Sequence, residues 1–282
     1  MDWAKWHDLY EVSTPLKERL MAVREQIAAA AAKGTGKSLH LVSICAGDGR
    51  DVIGTFTASD ARQDVHATLI ESHPELVTRG QAAVDQLGLA RRITFRCADA
   101  TQSSTYVNLR PAQIIVLSGV FGNLKERDVQ RLIAALPSLC DREASVIWTR
   151  TLFDDGEKAT QIIRQCFVAA NFTEEVLVRT PLGLFAVGTH AFRGVRRPLP
   201  VNTTLFEFTG IASIPSAVEP PHQQRPSPAS LRAAASDALN REVTYADVPP
   251  RGLGTGAAKG GVAGAPDLAS GDDGRVAPGG SV

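Results

Sequence analysis

The sequence predicts a doubly wound α/β sheet, and three observations predict it. Strand-like apolar runs alternate with amphipathic helix-like segments from residue 38 to residue 194, the pattern of consecutive right-handed crossovers. Several runs are continuously apolar, notably Ile114 to Leu117, as strands are when a parallel sheet is covered on both faces. The first run leads into "SICAGDGRDV", residues 43–52, which puts two glycines between a strand and a helix.

The elements follow in order. Residues 14–32 read as a helix: Thr14 is placed to cap it, Pro15 fits its first turn, and Leu16, Leu20, Val23 and Ile27 share one face. Then come a strand over 38–45, a helix over 49–59, a strand over 64–72 and a helix over 73–88 closed by Gly88. A strand over 92–98 is followed by a loop, a strand over 112–120 and a helix over 125–140 with a proline near its end. The remaining elements are a strand over 144–151, a helix over 156–171 and two strands, 173–180 and 183–194, joined by the turn "TPLG". The stretch "TLFEFTG", 204–210, is a possible extra edge.

Composition bounds the rest. The chain has 282 residues, 44% of them hydrophobic, and 30 basic against 30 acidic side chains. That balance gives no electrostatic reason to expect a nucleic-acid or anionic-membrane partner. No window reaches the ~20 apolar residues of a membrane span, and the start lacks the basic-then-apolar pattern of a signal peptide. Cys45, Cys97, Cys140 and Cys166 are scattered, with no metal-ligand spacing. Reduced thiols and a cytoplasmic protein are expected. Beyond residue 214 proline, glycine and alanine dominate, too little apolar surface to offset the entropy of ordering. Three parts are therefore expected: a helical cap or lid over 1–37, a ligand-binding domain over 38–214 and a disordered tail over 215–282.

Doubly wound sheets bind ligands beyond the carboxyl ends of their strands, where strand order reverses. The glycine loop belongs there. Its Gly47-Asp48-Gly49 spacing puts Val52 where a nicotinamide fingerprint needs a third glycine. Glu71 ends the next strand, 22 residues after Gly49, where a carboxylate can accept both hydroxyls of an adenosine ribose. Asp99 ends the third strand, with Ala100 beside it, and is either a turn or helix-capping residue or an acceptor for an adenine amino group. Loop, acid and acid thus stand at three successive strand ends.

This series resembles the class I S-adenosylmethionine-dependent methyltransferases, over roughly residues 38–194. "LSGVFGN" and "VIWTRT" add to the likeness, which looks closest to an uncharacterised actinobacterial-type group. The resemblance implies a Rossmann-like seven-stranded sheet, mostly parallel with an antiparallel last strand and helices on both faces. It implies S-adenosylmethionine as cofactor and a small molecule as the methyl acceptor, at oxygen or nitrogen. The loop departs from the family pattern: Ser43 stands at the acidic position and Cys45 at the first glycine. Asp48 or Asp51 is then left to meet the ammonium of the methionine part. The Asn-Pro-Pro-aromatic motif of amino methyltransferases is absent, which lowers nucleic-acid and protein-glutamine acceptors.

On this reading the amides of Ala46, Gly47 and Gly49 line the amino-acid end of the cofactor. Arg50 meets its carboxylate or forms a surface ion pair. Gly119 relaxes the backbone after the fourth strand. Phe121 covers the adenine, shapes the acceptor pocket or packs in the core. Asn123 binds the acceptor or caps the next helix, and Arg150 holds an acidic acceptor group. His7 is the candidate base, with Tyr10 beside it and Trp6 in the same aromatic cluster; an anchor for the N-terminus is the rival reading of that cluster. His73 is near the ribose or on the surface, and His190 is structural. Two other functions compete: a non-catalytic cofactor-binding scaffold, suggested by the degenerate loop, and a nicotinamide-dependent reductase.

Overall fold

A computed structural model describes residues 10, 12–34, 38–58 and 64–209. His7, Trp6 and the tail from residue 215 lie outside the described residues. Seven strands form one sheet: β1 (Leu39–Ile44), β2 (Val65–Glu71), β3 (Ile93–Cys97), β4 (Ala112–Leu117), β5 (Cys140–Thr151), β6 (Phe172–Arg179) and β7 (Phe185–Phe192). Their order is β3-β2-β1-β4-β5-β7-β6. β7 runs antiparallel to β5 and β6, and the other pairings are parallel. β1 is central and buried along its whole length. Strand order reverses between β1 and β4, so the carboxyl ends of these two strands flank the crevice where this architecture takes its ligands.

Among the described residues five α-helices cover the sheet: α1 (Thr14–Lys33), α2 (Arg50–Phe56), α3 (Pro74–Gln86), α4 (Glu126–Ala135) and α5 (Gly156–Ala169). One core joins Val23 and Ile27 of α1, Val52 and Phe56 of α2 and Val84 of α3 to Leu41, Leu69 and Ile147. The opposite core joins Leu132 of α4 and Phe167 of α5 to Ile44, Ile115 and Trp148. Strand residues alternate between the two cores because side chains of a strand point to opposite faces. α1 packs on α2, β4, β5 and β7, and Arg24 Nη2 donates to the Arg50 carbonyl at 2.8 Å.

The departures from sequence expectation have local causes. Ser13, not Thr14, occupies the cap position of α1. Pro137 brings no N–H, and α4 gives way at Leu136 to a 3₁₀ turn, Leu136–Ser138, so Cys140 opens a strand instead of ending a helix. The 204–210 stretch adds no strand. It makes two isolated bridges, Thr204 to Gln102 and Phe208 to Leu124. The consecutive residues Leu205 and Phe206 are both buried in the core beneath α4 and α5, whereas a half-buried strand would alternate.

The connection between β3 and β4 contains no α-helix, only the 3₁₀ turn Ser103–Tyr106. Residues 199–209 help cover that side of the sheet. Ser103 N–H donates to the Thr203 carbonyl, Leu205 N–H to that of Thr101 and Thr209 N–H to that of Asn123. This strap therefore ties the loop after β3 to the loop after β4.

Candidate functional site

The glycine loop leaves β1 at Cys45, whose φ is +56°. That is the left-handed region, which glycine enters freely and other residues enter at a cost. Gly49 ends the loop at φ +72°. A Cβ there would stand 2.5 Å from Leu69 Cδ2 and 2.8 Å from Phe95 Cζ, so only glycine lets the loop press so closely on the sheet. Ala46 N–H donates to the Ile70 carbonyl, Gly49 N–H to that of Ala46, and Gly47 N–H to Glu71 Oε2 at 2.8 Å. A buried turn satisfies its own donors, and these three are taken within the protein.

Glu71 is the pivot of this side. It is 9% exposed; Oε2 accepts from Gly47, and Oε1 accepts from His73 N–H at 2.9 Å. The Ser72 hydroxyl also reaches Oε1, at 3.5 Å; a carboxylate offers about four acceptor positions, so Oε2 keeps capacity for a further hydroxyl. His73 Nδ1 is buried and has no hydrogen-bond partner among the described residues. Asp99 is exposed at the rim; its Oδ1 accepts from Thr101 N–H at 2.9 Å. Ala100 is buried behind it, and its carbonyl accepts from the Tyr106 hydroxyl at 2.7 Å. Burial raises the Cys45 thiol far above its ordinary value, with Glu71 and Asp99 adding to the rise. It is a neutral, small group between the two acids.

Basic residues gather on the other side of the loop. Arg50 grips the 6%-exposed Asp48 through Nε (2.9 Å) and Nη2 (2.5 Å). Its guanidinium lies 4.5 Å from the Tyr10 ring centroid. The ion-pair reading of Arg50 is the one realised. Tyr10 is itself buried, packed with Leu16 and Phe185, and a second guanidinium, that of Arg19, lies 5.2 Å from its ring. The Tyr10 ring thus lies between two cations.

Arg19 is only 5% exposed. Burial pulls it down to about 10, opposed by Asp51 and helped by Arg50, so it remains a cation at neutral pH. Asp51 is pushed up by burial, and Arg19, the Ser118 hydroxyl it accepts from, and Arg24 oppose the rise. Arg19 and Ser118 escaped the sequence reading. The signal for Arg19 was present: it is three residues after Leu16 and four before Val23, on the apolar stripe of α1.

Beyond β4 the chain turns at Gly119, φ +76°. Its N–H donates to Thr149 Oγ1 at 2.8 Å. Its carbonyl accepts from Asn123 Nδ2 at 2.8 Å. Asn123 therefore ties its own turn, and Lys125 holds the cap position of α4. Phe121 is 2% exposed and meets Trp148 and Phe167 edge-on at 6.0 and 6.2 Å. It packs the core, because its turn tips the ring inward beneath α5. Arg150 stands near the carboxyl end of β5, donating to Thr151 Oγ1 at 2.7 Å and lying 3.5 Å from Asp155.

The fold thus brings residues 46–51, Glu71, Asp99, Ala100, Gly119 and Arg150 to the carboxyl ends of β1 to β5, and Tyr10 to the loop. It removes Phe121 to the core and gives Asn123 a backbone duty.

Residues 14–153 match a protein family described as "Putative methyltransferase". No curated protein sequence matches significantly. Among solved structures, an O-methyltransferase family protein from Burkholderia thailandensis aligns at TM-score 0.53 with 11% identity, over 69% of this chain and 60% of that one. Magnesium protoporphyrin IX methyltransferase from Synechocystis PCC 6803 aligns at TM-score 0.52 in two structures. The form with bound SAH is 16% identical and aligns over 67% of this chain and 94% of its own. The form with bound SAM is 17% identical and aligns over 67% and 90%. The chain spans less than two thirds of the Burkholderia protein, and at such identities the likeness is one of fold. The family match runs through the glycine loop, Glu71, Asp99 and Arg150; over residues 14–153 the chain is similar to this methyltransferase family, and it shares the fold of the solved methyltransferases.

Proposed function

We propose that the protein transfers a methyl group from S-adenosylmethionine to an oxygen or nitrogen of a small molecule. One observation carries this reading: Glu71, the carboxylate at the end of β2, is held by Gly47, His73 and Ser72 yet keeps acceptor capacity on Oε2. The residues present fit the cofactor at both ends. On the adenosine side stand Glu71, the unsatisfied His73 Nδ1, Asp99 and Ala100. On the amino-acid side, the buried Arg19 suits a carboxylate and the half-buried Asp51 an ammonium.

When bound, S-adenosylmethionine supplies a methyl already activated by a sulfonium, so no covalent link to the protein is needed. The protein's part is position: a nucleophile held about 3 to 3.5 Å from the methyl, in line with the leaving sulfur. The turn at Gly119, pinned by Thr149 and Asn123, forms a rigid floor at the end of β4. His7, a few residues before Tyr10, is the residue we assign to remove a proton from a hydroxyl acceptor.

Calorimetric titration with S-adenosylhomocysteine, with a nicotinamide dinucleotide as control, tests the reading. Micromolar binding of the first alone is expected, and its sharp weakening in Glu71→Ala. Binding of the dinucleotide alone would favour a reductase. A protein that binds S-adenosylhomocysteine but turns over no acceptor would be the scaffold. His7→Ala should lower kcat and leave cofactor affinity unchanged.

A further inference from the structure

We infer that the methyl acceptor carries a carboxylate and that Arg150 is the residue that holds it. The inference rests on the methyltransferase reading and names the acceptor class for the same site.

Arg150 occupies the penultimate position of β5, beside the turn that follows β4. A Cβ on Gly122 would stand 3.4 Å from its Nη1, so the guanidinium lies against the mouth of the crevice. Its side chain is 15% exposed. Burial lowers its proton affinity, and Asp155 only partly restores it. The partners it has are modest. Thr151 offers a neutral hydroxyl to Nη1. Asp155 is 78% exposed and 3.5 Å away from Nη2, longer than the 2.7–2.9 Å of a strong charge-assisted bond. The contrast is with Arg50, which grips its aspartate through two short bonds.

A guanidinium has five donors in a planar fork that matches a carboxylate, and a sunken cation without a close counter-ion is costly. An anionic ligand at this fork would replace a loose, solvent-facing partner with a bidentate one. The supporting backbone is stiff. Gly156 N–H closes on the Phe153 carbonyl at 2.8 Å, and Leu152 N–H donates to Leu184 at 2.9 Å. The same loop presents Phe153, 51% exposed, edge-on to Phe185 at 6.4 Å. That ring gives an apolar surface on the loop that follows the cation's strand, so aromatic carboxylates are the probes of choice.

The test is calorimetry and ligand-observed NMR with 2-, 3- and 4-hydroxybenzoate against the matching hydroxybenzamides, in the presence of saturating S-adenosylhomocysteine. At least one carboxylate is expected to bind ten-fold or more tightly than its amide. Arg150→Gln should level the pair, and Arg150→Lys should restore part of the preference. S-adenosylhomocysteine affinity in each variant reports whether the site is intact. The inference is overturned if acids and amides bind alike, if no acid binds, or if Arg150→Gln keeps the preference. Loss of S-adenosylhomocysteine binding by the unmodified protein would instead overturn the methyltransferase reading beneath it.

Discussion

Gly47 N–H and Glu71 Oε2 meet at 2.8 Å, although 24 residues separate them in the chain. The bond ties the loop after β1 to the end of β2, and Glu71 is joined on its other oxygen by His73 N–H. A residue assigned to hold the cofactor therefore also shapes the loop around it.

Glu71→Gln should act on both functions. It replaces a charge-assisted acceptor with a neutral one, which costs about 1–2 kcal/mol of stability. Affinity for S-adenosylhomocysteine should fall at least ten-fold, about 1.4 kcal/mol. Urea unfolding and calorimetry on the same sample separate the two effects. Unchanged affinity would remove Glu71 from the cofactor site.

Arg19→Met tests the other end of the cleft. The substitution keeps much of the volume beside Tyr10 and Phe185 while deleting the cation. S-adenosylhomocysteine should bind ten-fold or more weakly, and adenosine, which has no carboxylate, should bind as before. Equal losses for both would mean that Arg19 supports the fold alone.

Cys45 sits at φ +56° where glycine would be at ease. A non-glycine residue in this region costs about 1–2 kcal/mol, against which the half-buried side chain contributes some packing. Cys45→Gly should therefore be neutral to stabilising, by up to about 1 kcal/mol, whereas a branched residue in Cys45→Val should destabilise by about 2 kcal/mol. Equilibrium denaturation decides. Thiol labelling of the native protein should fall on the exposed Cys97 before the shielded Cys45.

His190 should make the fold acid-sensitive. It is fully buried, stacked on Phe167 at 4.3 Å, and its Nδ1 accepts from Trp148 Nε1 at 3.1 Å. Burial lowers its pKa from 6.5 to about 4, with Glu174 opposing. Its folded value is below its unfolded one, so the unfolded chain binds the extra proton first. Its contribution is complete above the unfolded value and is lost as pH falls from about 6.5 towards 4, on the order of 2–3 kcal/mol. Denaturation midpoints between pH 7 and pH 4 should fall less steeply in His190→Gln.

The strap over residues 199–209 should be structural. Phe206 is fully buried, whereas Phe208 is 44% exposed. Phe206→Ala should cost about 3–5 kcal/mol, the range for a large core truncation. Phe208→Ala should cost well under half of that. Similar small losses in both would mean that the strap does not seal the core.

Much of the site was legible because it is local. Gly47, Gly49, Glu71 and Asp99 stand at predictable offsets from apolar runs, and the backbone places them at neighbouring strand ends. Phe121 and Asn123 were not legible in this way. Four residues after β4 a side chain can tip into the crevice or into the core, and only packing against Trp148 and Phe167 decides. Arg50 had two readings that depended on whether Asp48 reached it.

Alternation of apolar runs and helical stripes by itself determined the doubly wound sheet, where its strands fall and the position of the glycine loop, because both periods are local properties of the backbone. Tertiary structure alone decided that the loop amides are satisfied internally, that Arg19 of α1 is buried against Tyr10 and Phe185, and that residues 199–209 help cover the sheet where no helix links β3 to β4. These outcomes depend on pairing groups far apart in the chain. Their partners are chosen by the need to satisfy every buried donor and charge, which becomes defined only once the layers have closed.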